Sequence, residues 1–575
     1  MAAAKVSQPI PELAKNMAIP LVVGGLVGLA IVGLYKLYEA LKWLSQALAS
    51  LNPLLLIAST TLALLLGYLT IKILAETKSW GCGTELMIEA YHYRGGLLSW
   101  KDTLSKTLAS AFTIGFGGSA GLEGPSLLLG GGLTSLLTQK LNLKPEDVKR
   151  LFLCGAAAGF SAIFKAPLTG ILLALEIPYR RDLETGVFVP AALASVSAYF
   201  VSFALLGGEA LFPTGLKLVI PSPLHLLHST LLGILASILA VAFIASMEKG
   251  GLLFQRLSSK LPVLPLVFLG GILLGLIGLY YPQTLGLGYE TIREMASGQL
   301  YEAAFLALLG ILIFKLATTT LTIRFGGSGG LFIPSLYLGG LLGLLYAKAF
   351  NLQPASIYVM VAMAAMLAAA NKTLMTSVAF VAETIGPSTV ILTLVSASVS
   401  YFLSGNRSLY LNQLPTKPVE EEEALTELRH LLGSLRESKL REITAEEFMT
   451  VNPVSLSEEM SISEVLDFIK SYGFRVYPVV DREGRLVGVL RVEDIFLMPP
   501  NKWHLPLGSL LVRKPLIALR HHSLLKILER MLREGEDHVY VVDNPKDRRL
   551  LGVIAAIDLL RKATDLLREA SLHGR

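Results

Sequence analysis

The chain has 575 residues, 53% of them apolar and only 16% charged, with a formal net charge of +6 and a mean hydropathy of +0.59. Soluble domains average about 25% charged residues, so a wholly soluble protein is excluded. Residues 416–575 carry 24 basic and 26 acidic side chains, while residues 1–415 carry 26 and 18. A charge at bilayer depth costs at least about 2.5–3.5 kcal/mol, so the first part reads as membrane-embedded and the second as a water-exposed domain. No basic run is dense enough to bind nucleic acid. Cys82 and Cys154, far apart in the apolar part, suggest neither a disulfide scaffold nor a cysteine-clustered metal site.

At the N-terminus, Lys5 and Lys15 precede an apolar run from about Met17 to Tyr35 that lacks a small-residue cleavage pattern. A retained span is expected, not a signal peptide. Apolar stretches follow one another at about 17–39, 53–75, 104–140, 150–178, 187–207, 224–247, 263–281, 303–323, 330–350, 356–384 and 387–405. Several are interrupted by glycine clusters or prolines. Backbone freed by such breaks must be buried in protein or line a watery cavity, so broken helices are expected.

Two of these interruptions are copies of one another. Phe116–Gly131 reads FGGSAGLEGPSLLLGG and Phe325–Gly340 reads FGGSGGLFIPSLYLGG, with 12 of 16 positions identical. In Gly117–Ser126 the glycines allow close backbone approach, and Pro125 stands where a helix opens and its missing N–H is harmless. Unpaired amides and the helix dipole at such an end form an anion site without a cationic side chain. The same holds for Gly326–Ser335 with Pro334. If the halves face one another, two positive helix ends converge on one anion.

Glu123 stands where its repeat partner is Phe332. A carboxylate at a helix N-terminus can fill the place of a permeating anion and vacate it on protonation or swinging aside, making it gate and proton carrier. The plainer role is a helix cap worth about 0.3–1 kcal/mol. Intramembrane acids are costly and functional by default, which favours the gate.

A second pair extends the repeat: Gly155–Glu176 resembles Ala362–Glu383, with Lys165 matching Lys372 and Glu176 matching Glu383. Two homologous halves, about 17–207 and 224–412, therefore build the membrane part, residues 1–415. Transporter halves of this kind commonly run in opposite membrane orientations around a midplane site. Pro415, Pro418 and the run Glu420–Glu423 mark a linker, 416–442, whose residues 424–442 carry an amphipathic helical pattern. From Ile443 a different repeat appears: a proline-led strand, a helix, a YPVVD or YVVDN strand, a turn, a GV strand and a helix. Its copies run from Pro453 through Tyr477 and Gly488 to Asp494, and from Pro515 through Tyr540 and Gly552 to Asp558.

At these residues the chain resembles a known family. Gly121–Pro125, GLEGP, is similar to the GxEGP motif of the CLC chloride channels and chloride/proton exchangers, and Gly330–Pro334, GLFIP, to their GxFxP motif. Gly81–Glu85, GCGTE, resembles a divergent GSGIP motif, and Gly405–Tyr410 the late segment bearing an anion-coordinating tyrosine. The resemblance covers about residues 17–412 in the family's order. It implies a polytopic α-helical fold of two inverted halves with broken helices, and a homodimer with one anion pathway per subunit. It further implies that the anion is held by the amides of Leu331 and Phe332, the Tyr410 hydroxyl and the Cys82 side chain with Gly83 beside it. The loops Gly121, Gly124, Pro125, Gly330 and Pro334 would shape the site, and Glu123 would be the outer gate. From position alone, Tyr410 could instead be an interfacial aromatic and Cys82 an inert buried thiol.

Two departures from the family bear on mechanism. Cys82 replaces the usual serine with a larger, weaker donor, which bears on anion selectivity. The usual inner proton-transfer glutamate falls on Ile177, and Glu176, one residue earlier, points about 100° away on an ideal helix. The tail, 443–575, resembles a tandem pair of CBS domains at about 443–500 and 505–570. Their ribose-binding aspartates carry over to Asp494 and Asp558, with phosphates near Arg491 or His538. Arg491 and Ala555 stand where a serine or threonine is usual. A purely structural dimerising module is the alternative.

The sequence therefore reads as a transporter of chloride-type anions in the plasma membrane, multi-pass, with the CBS pair in the cytoplasm. Exchange for protons is the leading expectation, and a passive voltage- or pH-gated channel is the alternative. No cofactor is expected; chloride is the substrate, and ATP, ADP or AMP the regulatory ligand that resemblance implies. A membrane metalloprotease would need an HExxH pair, and His92, His225 and His228 lack that spacing. A divalent-cation transporter would need clustered intramembrane carboxylates.

Overall fold

The computed structural model describes residues 13–562 apart from 142, 209–210, 213–215, 217–218, 418–423, 426–427, 429–441, 473, 497–502 and 510–512. The chain divides into two units, Met1–Lys417 and Pro418–Arg575. Most of the expected 416–442 linker, with its acidic run and most of its amphipathic pattern, lies outside the described residues, as do Lys5 and the tail beyond 562.

The first half of the membrane unit comprises α1 (Ile19–Leu51), α2 (Leu55–Leu74), a two-residue strand β1 (Gly81–Cys82), α3 (Gly83–Tyr93), α4 (Trp100–Gly115), α5 (Glu123–Lys140), α6 (Pro145–Phe164), α7 (Pro167–Glu176) and α8 (Phe188–Leu206). The second half comprises α9 (Pro223–Ser258), α10 (Val263–Tyr280), α11 (Tyr289–Ala296), α12 (Phe305–Arg324), β2 (Ser328–Gly329), α13 (Phe332–Ala349), α14 (Ala355–Asn371), α15 (Leu374–Thr384) and α16 (Val390–Leu403). Among the described residues, seven helical segments are long and apolar enough to cross a membrane.

The breaks fall at the glycine clusters and prolines. The 104–140 stretch splits into α4 and α5 at Phe116–Leu122, where Gly117 has φ +102°. The 150–178 and 356–384 stretches split after the paired lysines, since Lys165 and Lys372 both end their helices in the left-handed conformation, at φ 53° and 59°. Two elements differ from expectation: α3 and α11 are short and carry Glu85, Glu89, Glu290 and Arg293, so hydropathy misses them. Helices α1 and α9 also run well past their apolar stretches, to Leu51 and Ser258.

Reciprocal bonds between equivalent residues reveal a local two-fold relation between the halves. The Gly121 amide donates to the Gly330 carbonyl (2.9 Å) and the Gly330 amide to the Gly121 carbonyl (2.8 Å). The Ser119 amide donates to Thr322 Oγ1 (3.0 Å), and the Ser328 amide to Thr113 Oγ1 (3.1 Å). Glu176 accepts from the amides of Met375 and Thr376 at the start of α15, while Glu383 accepts from those of Leu168 and Thr169 at the start of α7. Each half thus caps a helix of the other, satisfying donors that a helix N-terminus leaves open.

In the second unit, β3 (Thr450–Val451), β7 (Ile517–Leu519), β8 (His538–Val542) and β9 (Leu550–Ala555) form a sheet in the order β3-β9-β8-β7. A second sheet has the order β4-β5-β6, from β4 (Leu456–Ser457), β5 (Val476–Val480) and β6 (Leu486–Arg491). The two copies repeat a parallel strand pair followed by an antiparallel hairpin. In the hairpin strands Tyr477, Val479, Val539 and Val541 are buried against the helices Ile462–Tyr472 and Leu524–Glu534, while Tyr540 and Val542 are buried in a separate cluster with Leu486 and Val489, so successive residues face two different cores.

Candidate functional site

The repeated glycine loops bring the first turns of α5 and α13 together at the Gly121–Gly330 pair. Pro125 and Pro334 lie in those first turns, where their missing donors cost nothing. Open amides and positive dipole ends therefore meet at one point. Glu123, 1% exposed, fills it. Its Oε1 accepts a 2.5 Å hydrogen bond from the Phe332 amide, and the Ile333 amide also faces the carboxylate. Its Oε2 is buried with no partner among the described residues.

Room for this carboxylate comes from two missing side chains. A Cβ at Gly121 would lie 1.8 Å from Glu123 Oε2, and one at Gly330 would lie 2.1 Å from Oε1. Gly124 packs on the Gly330 backbone, and Gly83 on the Gly124 carbonyl. An aromatic wall of Phe160, Phe164, Phe332 and Phe380, with ring centroids 4.6–6.3 Å apart and each at most 1% exposed, keeps the surroundings dry. Charge–dipole attraction is stronger there than in water.

A third helix end joins the site. Strand β1 pairs with β2, matching Gly81 to Ser328 and Cys82 to Gly329, so α3 starts beside the two glycine loops. Cys82 and the fully buried Tyr410 lie within electrostatic reach of one another and of Glu123. Burial at 1% exposure removes the interfacial reading of Tyr410. Leu331, the N-cap of α13, is likewise buried. The structure thus brings Cys82, Gly83, Gly121, Glu123, Gly124, Pro125, Gly330, Leu331, Phe332, Pro334 and Tyr410 into one neighbourhood.

Sequence reasoning passed over three residues here. Glu85 accepts from the amides of Leu411 (3.1 Å) and Asn412 (2.9 Å), fastening the tyrosine segment to α3. Thr84, fully buried, faces Tyr410 and Cys82. Tyr289 opens α11 after Gly286-Leu287-Gly288, an echo of Gly81-Cys82-Gly83-Thr84 in the other half. Its buried hydroxyl has no partner among the described residues and lies within electrostatic reach of Glu123. That echo was the available signal, but only glycines and a glutamate survive in it.

At the inner-glutamate position, Ile177 is 2% exposed and its carbonyl accepts from Gln413 Nε2 at 3.0 Å. Glu176 is committed to α15, where Thr376 Oγ1 adds a 2.6 Å bond to its carboxylate.

The family profile described as voltage gated chloride channel matches residues 62–405. The chain belongs to the voltage-gated chloride channel family. CBS domain profiles match residues 445–498 and 507–565. An uncharacterized protein of Methanocaldococcus jannaschii is 30% identical over 272 residues, covering 47% of this chain and 66% of that protein. The H(+)/Cl(-) exchange transporter ClcA of Salmonella paratyphi B is 29% identical over 385 residues, covering 63% of this chain and 79% of that protein. Among solved structures, a eukaryotic CLC transporter shares the fold at a TM-score of 0.63 and 19% identity, covering 95% of this chain and 98% of its own. A CLC-type fluoride/proton antiporter does so at 0.62 and 24%, covering 71% and 99%. As a member of this family the chain is a multi-pass membrane protein with the CLC transporter fold and a tandem CBS tail.

In the CBS pair, Arg491 Nη2 lies 3.3 Å from Asp537 Oδ1, and His538 Nδ1 lies 3.0 Å from the same oxygen. The two residues expected near phosphates therefore converge on one acid. Asp494 accepts two bonds from Arg513, at 2.7 and 2.9 Å. Asp558 lies, half-buried, just after β9.

Proposed function

We propose that each subunit of a homodimer carries chloride or a similar anion along a path through the converging ends of α3, α5 and α13. Glu123 is its gate. The observation that carries this reading is the seat of the Glu123 carboxylate on the Phe332 amide, where an anion of the same charge would be held. Protonation or displacement of Glu123 frees that seat for the anion. Leu331 and Phe332 amides, the Tyr410 hydroxyl and the Cys82 side chain are the groups offered to the ion. Movement is proton-linked: the gate itself is the proton carrier, and the exchange activity in the name of the Salmonella relative agrees with this.

Passive conduction is the second reading, and one observation favours it. Ile177 is apolar and Glu176 is engaged as a helix cap, so no side chain at the usual inner position relays a proton. On either reading the protein sits in the plasma membrane with its CBS pair in the cytoplasm, where Asp494, Asp558, Arg491 and His538 bind ATP, ADP or AMP as regulator. Nucleotide binding at Asp494 requires Arg513 to swing away.

Purified protein in liposomes with a chloride gradient tests the reading. Uphill proton movement supports exchange; a reversal potential that follows chloride alone supports the channel. Unchanged anion flux in Glu123→Ala would remove the gate from both.

A further inference from the structure

Beside the weak thiol donor of Cys82 stands a stronger one. Thr84 is 0% exposed, in the first turn of α3, and its side chain faces both the Cys82 thiol and the Tyr410 hydroxyl. Its Oγ1 is buried with no hydrogen-bond partner among the described residues. Buried hydroxyls are almost always paired, and threonines within helices pair with the carbonyl one turn back. In this chain Thr103, Thr107 and Thr134 all do so. At the start of α3 no helical turn precedes Thr84, so that outlet is closed. Its hydroxyl instead lies near the Cys82 and Tyr410 side chains, both of which are within electrostatic reach of Glu123.

We infer that the Thr84 hydroxyl is a direct ligand of the transported anion and sets its preference, supplying with Tyr410 the hydroxyl pair that Cys82 withholds. This rests on the reading of the Cys82–Glu123–Tyr410 region as the anion path. A hydroxyl donates more strongly than a thiol and rewards the most charge-dense halide, so Thr84 favours chloride over bromide and nitrate.

The test is anion binding by titration calorimetry on the full-length protein in detergent, with flux from liposomes loaded with chloride, bromide or nitrate. Thr84→Val keeps the shape and removes the hydroxyl. It is expected to weaken chloride binding about tenfold, the loss of roughly one hydrogen bond to a charged group, and to narrow the preference over bromide. Thr84→Ser is expected to recover affinity to within about twofold. Cys82→Ser is expected to restore most of it in the Thr84→Val background. Parental chloride affinity and preference in Thr84→Val would overturn the inference. So would equal weakening for every anion with no rescue by serine at position 82, the mark of lost packing alone. Should Thr84→Val fail to fold, Thr84→Ala is read by the same criteria. If the parent protein itself neither binds nor carries chloride, the underlying reading of the path fails instead.

Discussion

Glu123 and the two glycines around it make a tightly constrained residue set. The carboxylate occupies volume that any side chain at Gly121 or Gly330 would claim, and at Gly121 the three nearest atoms all belong to Glu123, so Gly121→Ala should expel it from the Phe332 amide. Gly121→Ala is therefore expected to move anion flux in the same direction as Glu123→Ala, and adding it to Glu123→Ala should change flux little, as liposome efflux can measure. Glu123→Gln keeps the shape but cannot cycle a proton; proton movement should be lost while some anion flux persists, read with a pH dye alongside a chloride electrode. Glu123 and Phe332 were legible in the sequence because the repeat aligned them against one another. Thr84 and Tyr289 were not, since a hydroxyl's orientation depends on which helix turn precedes it, and this is a property of three-dimensional chain path.

Among the elements, the reciprocal caps on α7 and α15 tie the halves together. Thr169 Oγ1 adds a 2.6 Å bond to Glu383 just as Thr376 Oγ1 does to Glu176. Removing either carboxylate strands two amides and a hydroxyl, and Glu383→Ala should lower stability by about 1–3 kcal/mol, seen as an earlier thermal unfolding transition in detergent. The matched glutamates were visible in the sequence, but their purpose was not, because identical spacing in two copies does not say which copy each side chain reaches.

The hairpin between β5 and β6 gives an element-scale pH prediction. The Asp481 carboxylate is held below its ordinary range, first by the Arg485 amide and then by the Arg485 side chain and the Glu483 amide. A carboxylate with a lowered folded-state pKa contributes stability above its unfolded pKa and loses it as pH falls through the folded one. The difference in melting temperature between the parent and Asp481→Ala should therefore be largest at neutral pH and shrink below about pH 4.

For the molecule as a whole, charge density differs sharply between the membrane and CBS parts. Hydropathy located the long spans, and the glycine clusters located their breaks; short polar helices such as α3 and α11 became visible only through the contacts that hold them. On the proposal that the CBS pair binds adenine nucleotide, Arg513→Ala, which releases Asp494, is expected to strengthen binding of ATP or AMP by several-fold in equilibrium dialysis. A nucleotide-dependent change in anion flux that tracks this gain would connect the tail to transport.

The exchange of caps between halves also orders events at the ribosome. While only α1 to α8 have been made, the donors at the start of α7 lack their acceptor and Glu176 has nothing to cap, so the nascent first half enters the bilayer incomplete. It must be tolerated by the insertion machinery until residue 383 emerges. Two polypeptides divided between α8 and α9 and expressed together should therefore assemble, whereas either alone should be degraded.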